Sequence, residues 1–144
     1  VSYIVRYNSE TLQFEMAMRD GDSWVFTGPS FELEPGVGYW AWAEGPCTIT
    51  FTGAEPSGFD MHLNHGWNLI GWYSTSTASL ISGADPLPVC MSYIVRYNST
   101  TLQFEMAMRD GDGWVFTGPS FELKPGMGYW AWVDTEGGCD WDHE

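Results

Sequence analysis

Residues 2–43 and 92–133 carry nearly the same sequence, SYIVRYNSETLQFEMAMRDGDSWVFTGPSFELEPGVGYWAWA against SYIVRYNSTTLQFEMAMRDGDGWVFTGPSFELKPGMGYWAWV, at a fixed offset of 90. Five of the 42 paired positions differ: Glu10/Thr100, Ser23/Gly113, Glu34/Lys124, Val37/Met127 and Ala43/Val133. A hydrophobic core tolerates far more drift than this when volume and pattern are kept. Identity that extends to Gln13/Gln103, Glu15/Glu105 and Arg19/Arg109, all expected to be exposed, therefore reads as recent duplication, or as selection for copies that present identical surfaces to one another. Both readings favour an array over a one-site enzyme.

The block 65–90, HGWNLIGWYSTSTASLISGADPLPVC, precedes the second copy and has no counterpart ahead of Val1. The expected organisation is one and a half units of a longer precursor. Residues 1–65 form an incomplete first repeat around the core 2–43, and residues 66–144 a nearly complete second repeat around the core 92–133. A unit cut after its first strand should leave an open sheet edge on the N-terminal half, to be filled by residues 66–72, by a neighbouring molecule or by a further segment.

Within the second unit, Trp67–Trp72 is a short apolar run that suggests a strand buried on both faces. Ser74–Ser82 offers Ser/Thr caps ahead of Ala78, Leu80 and Ile81 and predicts a short helix. Tyr93, Val95 and Tyr97 alternate with Ile94 and Arg96; past the Asn98-Ser-Thr turn, Leu102, Phe104, Met106 and Met108 alternate with Gln103, Glu105, Ala107 and Arg109. That is a β-hairpin with one apolar face. Asp110–Gly113 is a second turn before Trp114–Phe116, Phe121–Leu123 a short strand, and Pro125–Gly128 a tight turn into Tyr129–Val133. A last strand should begin near Cys139, matching Thr48–Phe51 of the first unit. The predicted class is mainly β, with tandem small antiparallel β-meander or barrel-like units and one short helix per complete unit.

Three cysteines make sense once phased. Cys90 lies just before the second core and Cys139 follows it, so the simplest pairing is Cys90–Cys139, with Cys47 orphaned or bonded to a neighbouring chain. Three free, buried thiols are the alternative.

With 5 basic and 19 acidic residues the net charge is −14, which repels phosphate backbones and anionic lipid, so neither nucleic acid nor a membrane surface is expected as partner. No stretch approaches the roughly 20 apolar residues of a membrane span. His62 and His65 are spaced for a metal but lack a third ligand, and no metal site is expected. Asp20-Gly-Asp22 and Asp110-Gly-Asp112 read as hairpin turns rather than calcium loops, since the Glu an EF-hand needs is missing. No cofactor is expected, with loose calcium binding by the acidic surface left open. Glu15/Glu105 and Glu32/Glu122 are better read as polar strand faces than as acid and base pairs, and no nucleophile, base and oxyanion set can be assembled. The chain is not expected to be an enzyme. Trp24, Trp40, Trp42, Trp114, Trp130 and Trp132 are candidates for stacking on sugar rings, against the commoner role of aromatic side chains in a thin β core. Asn98-Ser-Thr100 is a candidate glycosylation sequon that the first copy, Asn8-Ser-Glu10, lacks.

The combination of GWNLIGW at 66–72, the Tyr93–Met108 hairpin and LKPGMGYWAW at 123–132 resembles repeat domains of large secreted or cell-surface proteins of archaea, particularly methanogens, of the S-layer-associated, sheath or adhesin type. The resemblance implies an extracellular structural role and brings no catalytic residues. The expected function is that of a subunit in a repetitive cell-surface assembly that polymerises with copies of itself through β-strand pairing, with a tandem carbohydrate-binding or adhesion module as the alternative.

Overall fold

The structure is a computed structural model and describes residues 1–50, 52–54 and 59–143. Eleven strands form antiparallel sheets, and no helix occurs among the described residues. In the first copy, β1 (Tyr3–Asn8), β2 (Gln13–Asp20), β3 (Ser23–Phe26) and β4 (Tyr39–Trp42) order as β3-β2-β1-β4. β5 (Phe59–Leu63) and β6 (Gly66–Gly71) follow. In the second copy, β7 (Met91–Asn98), β8 (Gln103–Asp110), β9 (Gly113–Phe116) and β10 (Gly128–Val133) repeat the first arrangement, with β6 added outside β10: β6-β10-β7-β8-β9. β11 (Cys139–His143) pairs with β5 in a separate ribbon.

The duplicated hairpins are identical in register: Arg6 opposes Glu15 and Tyr7 opposes Phe14, as Arg96 opposes Glu105 and Tyr97 opposes Phe104. Each hairpin is closed by the same device. The Asn side chain accepts from two backbone N–H groups ahead of it, Asn8 Oδ1 from Glu10 and Thr11 at 3.0 and 3.2 Å, and Asn98 Oδ1 from Thr100 and Thr101 at the same distances. The Pro-Gly turns ahead of β4 and β10 are type II in form: the N–H of Val37 donates to Glu34 O, that of Met127 to Lys124 O, and Gly36 and Gly126 take φ of 80° and 78°. The following tyrosine locks the turn from inside. Tyr129 Oη donates to Glu122 O (3.1 Å) and accepts from Lys124 N–H (2.9 Å), and Tyr39 repeats both bonds on Glu32 and Glu34.

The core lies on one face of the second sheet. Ile94, Ala107, Tyr129, Ala131 and Val133 pack there with Ile70, Trp72, Leu80, Leu87, Phe121, Leu123 and, from the ribbon, Leu63 and Trp141. Residues 72–90 form the lid over that face, and the Cys90–Cys139 disulfide ties the end of the lid to the start of β11. Cys47 is free and exposed.

Three sequence expectations are corrected. Residues 74–82 do not form a helix: Ser79 Oγ accepts from the Ile81 and Ser82 N–H groups and Ser74 Oγ from Ser76 N–H, offering the backbone turns in place of helical bonds. Ala78 instead exchanges two backbone bonds of 2.9 Å with Leu123, and this bridge is all that forms of the strand expected at Phe121–Leu123. The final strand does begin at Cys139, but its partner is β5, while residues 48–50 are not strand and Phe51 lies outside the described residues. Because Leu63 is fully buried in the second core, β5 packs with the second repeat although it precedes position 65.

Candidate functional site: paired aromatic faces and an open edge

Each sheet turns its other face, with Tyr7, Phe14 and Trp40 in the first copy and Tyr97, Phe104 and Trp130 in the second, toward its twin. Trp130 packs on Tyr7 (centroids 5.0 Å apart) and Phe14 (6.1 Å); Trp40 packs on Tyr97 (5.1 Å) and Phe104 (6.2 Å), all near edge-to-face. These contacts exchange under the offset of 90, so the two sheets meet about a pseudo-two-fold axis as the halves of an isologous dimer do. Edge-to-face aromatic pairs contribute about 0.5–1.5 kcal/mol each beyond the area they bury. Near the axis Gly128 comes within van der Waals range of Gly38: a Cβ built on Gly128 would lie 3.7 Å from Gly38 Cα. Beside the axis, Tyr7, Phe14, Trp67, Phe104 and Trp130 line an open groove of about 600 Å³ whose wall also includes Val95, Met106 and Thr117.

β6 is where the copies cease to be equivalent. Along β10 it pairs from Gly128↔Gly71 to Val133↔Gly66. With its other edge it reaches the first sheet at one point, Val37↔Ile70, where Gly38 N–H donates to Leu69 O (3.0 Å) and Gly71 N–H to Gly36 O (2.9 Å). Gly36 and Gly38 are bonded from the same side on which Trp42 O accepts from Ser2 N–H, so the backbone of Tyr39 and Ala41 faces the opposite edge of β4. That edge is the end of its sheet, and no strand among the described residues pairs with it.

The face behind that edge is uncovered too. Leu33 is 56 % exposed where its twin Leu123 is 0 % exposed. Ala41 and Ala43 are exposed where Ala131 and Val133 are buried, and Trp24 is half-buried where Trp114 is 7 % exposed. The first copy thus presents the apolar surface of a core without the lid that closes it in the second.

The six candidate tryptophans do not form one platform. Trp40 and Trp130 lie in the inter-sheet contact; Trp132 packs on Trp67 (5.2 Å) and donates from Nε1 to Asp134 (2.6 Å). Trp24 and Trp114 lie under the Arg19 and Arg109 guanidinium groups, 4.5 and 4.4 Å from ring centroid to Cζ, and Trp42, 63 % exposed, stands beside the open edge. Asn98 is partly buried and its Nδ2 donates to Glu105 at 3.4 Å. His62 Nδ1 is 2.8 Å from Asp140 Oδ1 while His65 packs on Trp132, so the two histidines have different neighbours. Among the described residues no group of three or more His, Cys, Asp or Glu is placed to hold a metal ion.

Glu15 and Glu105, expected to be exposed, are buried, each 8 % exposed. Arg6 Nε donates to Glu15 at 2.8 Å and Arg96 Nε to Glu105 at 2.9 Å, with a second bond from Nη2 in each, and both guanidinium groups lie 5.0 Å from a phenylalanine ring, Phe31 or Phe121. The signal was present in the hairpin register, which sets Arg6 opposite Glu15. Glu32 and Glu122 are exposed.

The Arg96 bonds hold the Glu105 carboxyl below its usual range, helped by Asn98, while burial opposes them; Ser92 and Trp132 do the same for Asp134. A depressed folded-state pKa contributes stability that is present above the unfolded value, about 4 for these groups, and is lost as pH falls through the folded value. Melting temperature should therefore be flat from pH 7 to about pH 5 and fall below about pH 4. An R96Q variant should flatten part of that fall; an acid limb unchanged by the substitution would rule out this origin.

No helix among the described residues is long and apolar enough to cross a membrane. The Cys90–Cys139 bridge is compatible with an oxidising, extracellular setting. No family model matches the chain, and neither a curated protein nor a solved structure does.

Proposed function

We propose that the chain is a non-enzymatic structural subunit of a repetitive extracellular assembly, a sheath, fibre or surface layer, in which tandem β units join through strand pairing and matched aromatic faces. The observation that carries this reading is the reciprocal packing of Trp40 on Tyr97 and Trp130 on Tyr7. Two copies that use one surface to recognise each other must keep that surface the same, which accounts for identity beyond the needs of packing. β6, a strand of the second repeat, also bonds the first sheet at the Val37↔Ile70 bridge, so one chain already holds a backbone contact between repeats. Repetition of near-identical β segments gives large mechanical and kinetic stability. The resemblance to archaeal cell-surface repeats agrees with this role. So does the chemistry: the buried carboxylates Glu15 and Glu105 are each neutralised by an arginine.

Sedimentation and negative-stain microscopy of concentrated protein should show ordered, concentration-dependent polymers. A monodisperse monomer at millimolar concentration, with the first sheet folded, would overturn the reading.

The second reading, a tandem carbohydrate-binding or adhesion module, draws on the aromatic groove between the sheets. Its walls offer rings for stacking, but Thr117 is the one hydroxyl-bearing aliphatic side chain among them, and sugar recognition needs several directed hydrogen bonds. A glycan array with W130A as control separates the two: sugar binding lost in the variant would favour this reading.

A further inference from the structure

We propose that the open edge of β4 and the bare face behind it receive a strand and lid with the chemistry of residues 66–90, donated by another repeat of this kind, and that Cys47 locks the donor in place. The inference rests on the structural reading above and deepens it by naming the partner and its register.

Two observations carry it. First, the same structure shows what covers this surface. β4 and the first four residues of β10 beyond Gly128 share the sequence Tyr-Trp-Ala-Trp, and β10 wears β6, with Tyr129↔Ile70, Trp130↔Leu69, Ala131↔Asn68 and Trp132↔Trp67. Transposed by 90, a donor strand would run antiparallel to β4 with its Ile opposite Tyr39 and its first Trp opposite Trp42. The backbone groups of Tyr39 and Ala41 point the right way to bond it. In the second copy Ile70, Trp72, Leu80 and Leu87 then fold onto Tyr129, Ala131 and Leu123. Their twins Tyr39, Ala41 and Leu33 are only half-buried or exposed, so the donor meets the same apolar surface.

Second, the staple is half present. In the second copy the lid ends at Cys90, bonded to Cys139, which follows β10. In the first copy Cys47 follows β4, exposed and free. A donor ending in the equivalent of Cys90 brings its thiol to that side of the sheet. Closing the bond removes two electrons and two protons from the two thiols, and a small-molecule disulfide such as oxidised glutathione accepts them, leaving two reduced thiols.

The one core difference between the copies fits this picture. Val133 is fully buried beneath its lid, whereas Ala43 stands at the open edge.

The test uses the full chain and a synthetic peptide of residues 65–90 carrying a fluorophore, in a glutathione redox buffer. The expected result is saturable binding, slowed amide exchange at Tyr39 and Ala41, and a Cys47-to-peptide disulfide found by mass mapping. A peptide with Leu69→Asp and Ile70→Asp should bind at least tenfold more weakly and cross-link no faster than a scrambled peptide. A C47S chain should keep reversible binding and lose only the cross-link, which separates the strand site from the staple. No binding, protection confined to the aromatic groove, or equal cross-linking by wild-type and scrambled peptides would each overturn the proposal. The two readings fail differently. Polymers that form while the peptide neither binds nor inhibits them would remove the strand-acceptor site and leave the structural role. A bound peptide on a chain that never polymerises would do the reverse.

Discussion

Replacing Cys90 and Cys139 together by serine should cost about 4 kcal/mol, the chain-entropy value for a closed loop of about 50 residues. The bridge spans 49 positions and encloses β7 to β10, with Cys90 adjoining Met91 at the start of β7 and Cys139 opening β11. Its removal frees the end of the lid and the start of β11 from each other: Leu87 loses its nearby tether, and the β5–β11 ribbon loses its attachment to the lid. For a folding unit of this size the loss corresponds to a fall in melting temperature of about 20 °C. The first sheet has no disulfide, so its amide exchange should change little while protection at Ile94 and Ala131 drops. Calorimetry and hydrogen exchange on the double variant read both effects, and a loss below about 1 kcal/mol would show that packing of the lid, not its staple, holds the second sheet.

Alanine at Gly38 should be far more damaging than alanine at Gly128, although both stand in the same Gly-Tyr-Trp-Ala-Trp sequence. A Cβ on Gly38 would lie 2.5 Å from the Ile70 carbonyl oxygen and 3.0 Å from Leu69 Cγ, and the first of these is backbone held in the β6–β10 ladder. A Cβ on Gly128 meets nothing closer than 3.6 Å. Forcing Gly38 out of contact breaks its bond to Leu69 and spreads the two sheets at their axis, so G38A should lose about 3 kcal/mol, the upper part of the usual range for overpacking. G128A should stay within about 1 kcal/mol of the parent. Both substitutions change unfolded-chain entropy alike, so the difference between them isolates the clash. Equal effects would mean that β6 does not hold the sheets together at this point.

The hairpins and turns were legible because strict alternation and Asn, Asp-Gly and Pro-Gly punctuation are local signals, and the structure places β7 to β10 within a residue or two of the sequence expectation. The faces were harder. Periodicity marks Phe104, Met106 and Met108 as the apolar side of β8, yet Phe104 is 58 % exposed while Ala107 and Glu105, on the side that reads as polar, are buried. A carboxylate on that side is buried by its partner across the strand, as Glu105 is by Arg96 and Glu15 by Arg6 even on the sheet without a lid, and alternation alone cannot see the partner. The helix expected at 74–82 failed for a related reason: its serines fit capping and turn formation equally well, and only the bridge to Leu123 decides between them. β5 was legible in principle, since Phe59, Met61 and Leu63 alternate with Asp60 and His62, but it lies outside the repeated cores on which the phasing rests. Of the candidate site, the vacancy beside the first copy followed from the phase of the repeat. The pseudo-two-fold contact did not, because edge-to-face packing of Trp40 on Tyr97 depends on how whole sheets dock.

The placement of the bridge also sets how far the chain can be drawn out under load. Everything between Cys90 and Cys139 is shunted by one covalent link, so the 49-residue span, about 170 Å of extended backbone at about 3.5 Å per residue, is withheld from extension until the bond is reduced. The first sheet has no such shunt and would yield to tension first. In the assembly proposed above, tension would draw out one set of copies while the other kept its length, an alternation of compliant and inextensible segments until the Cys90–Cys139 bond is reduced.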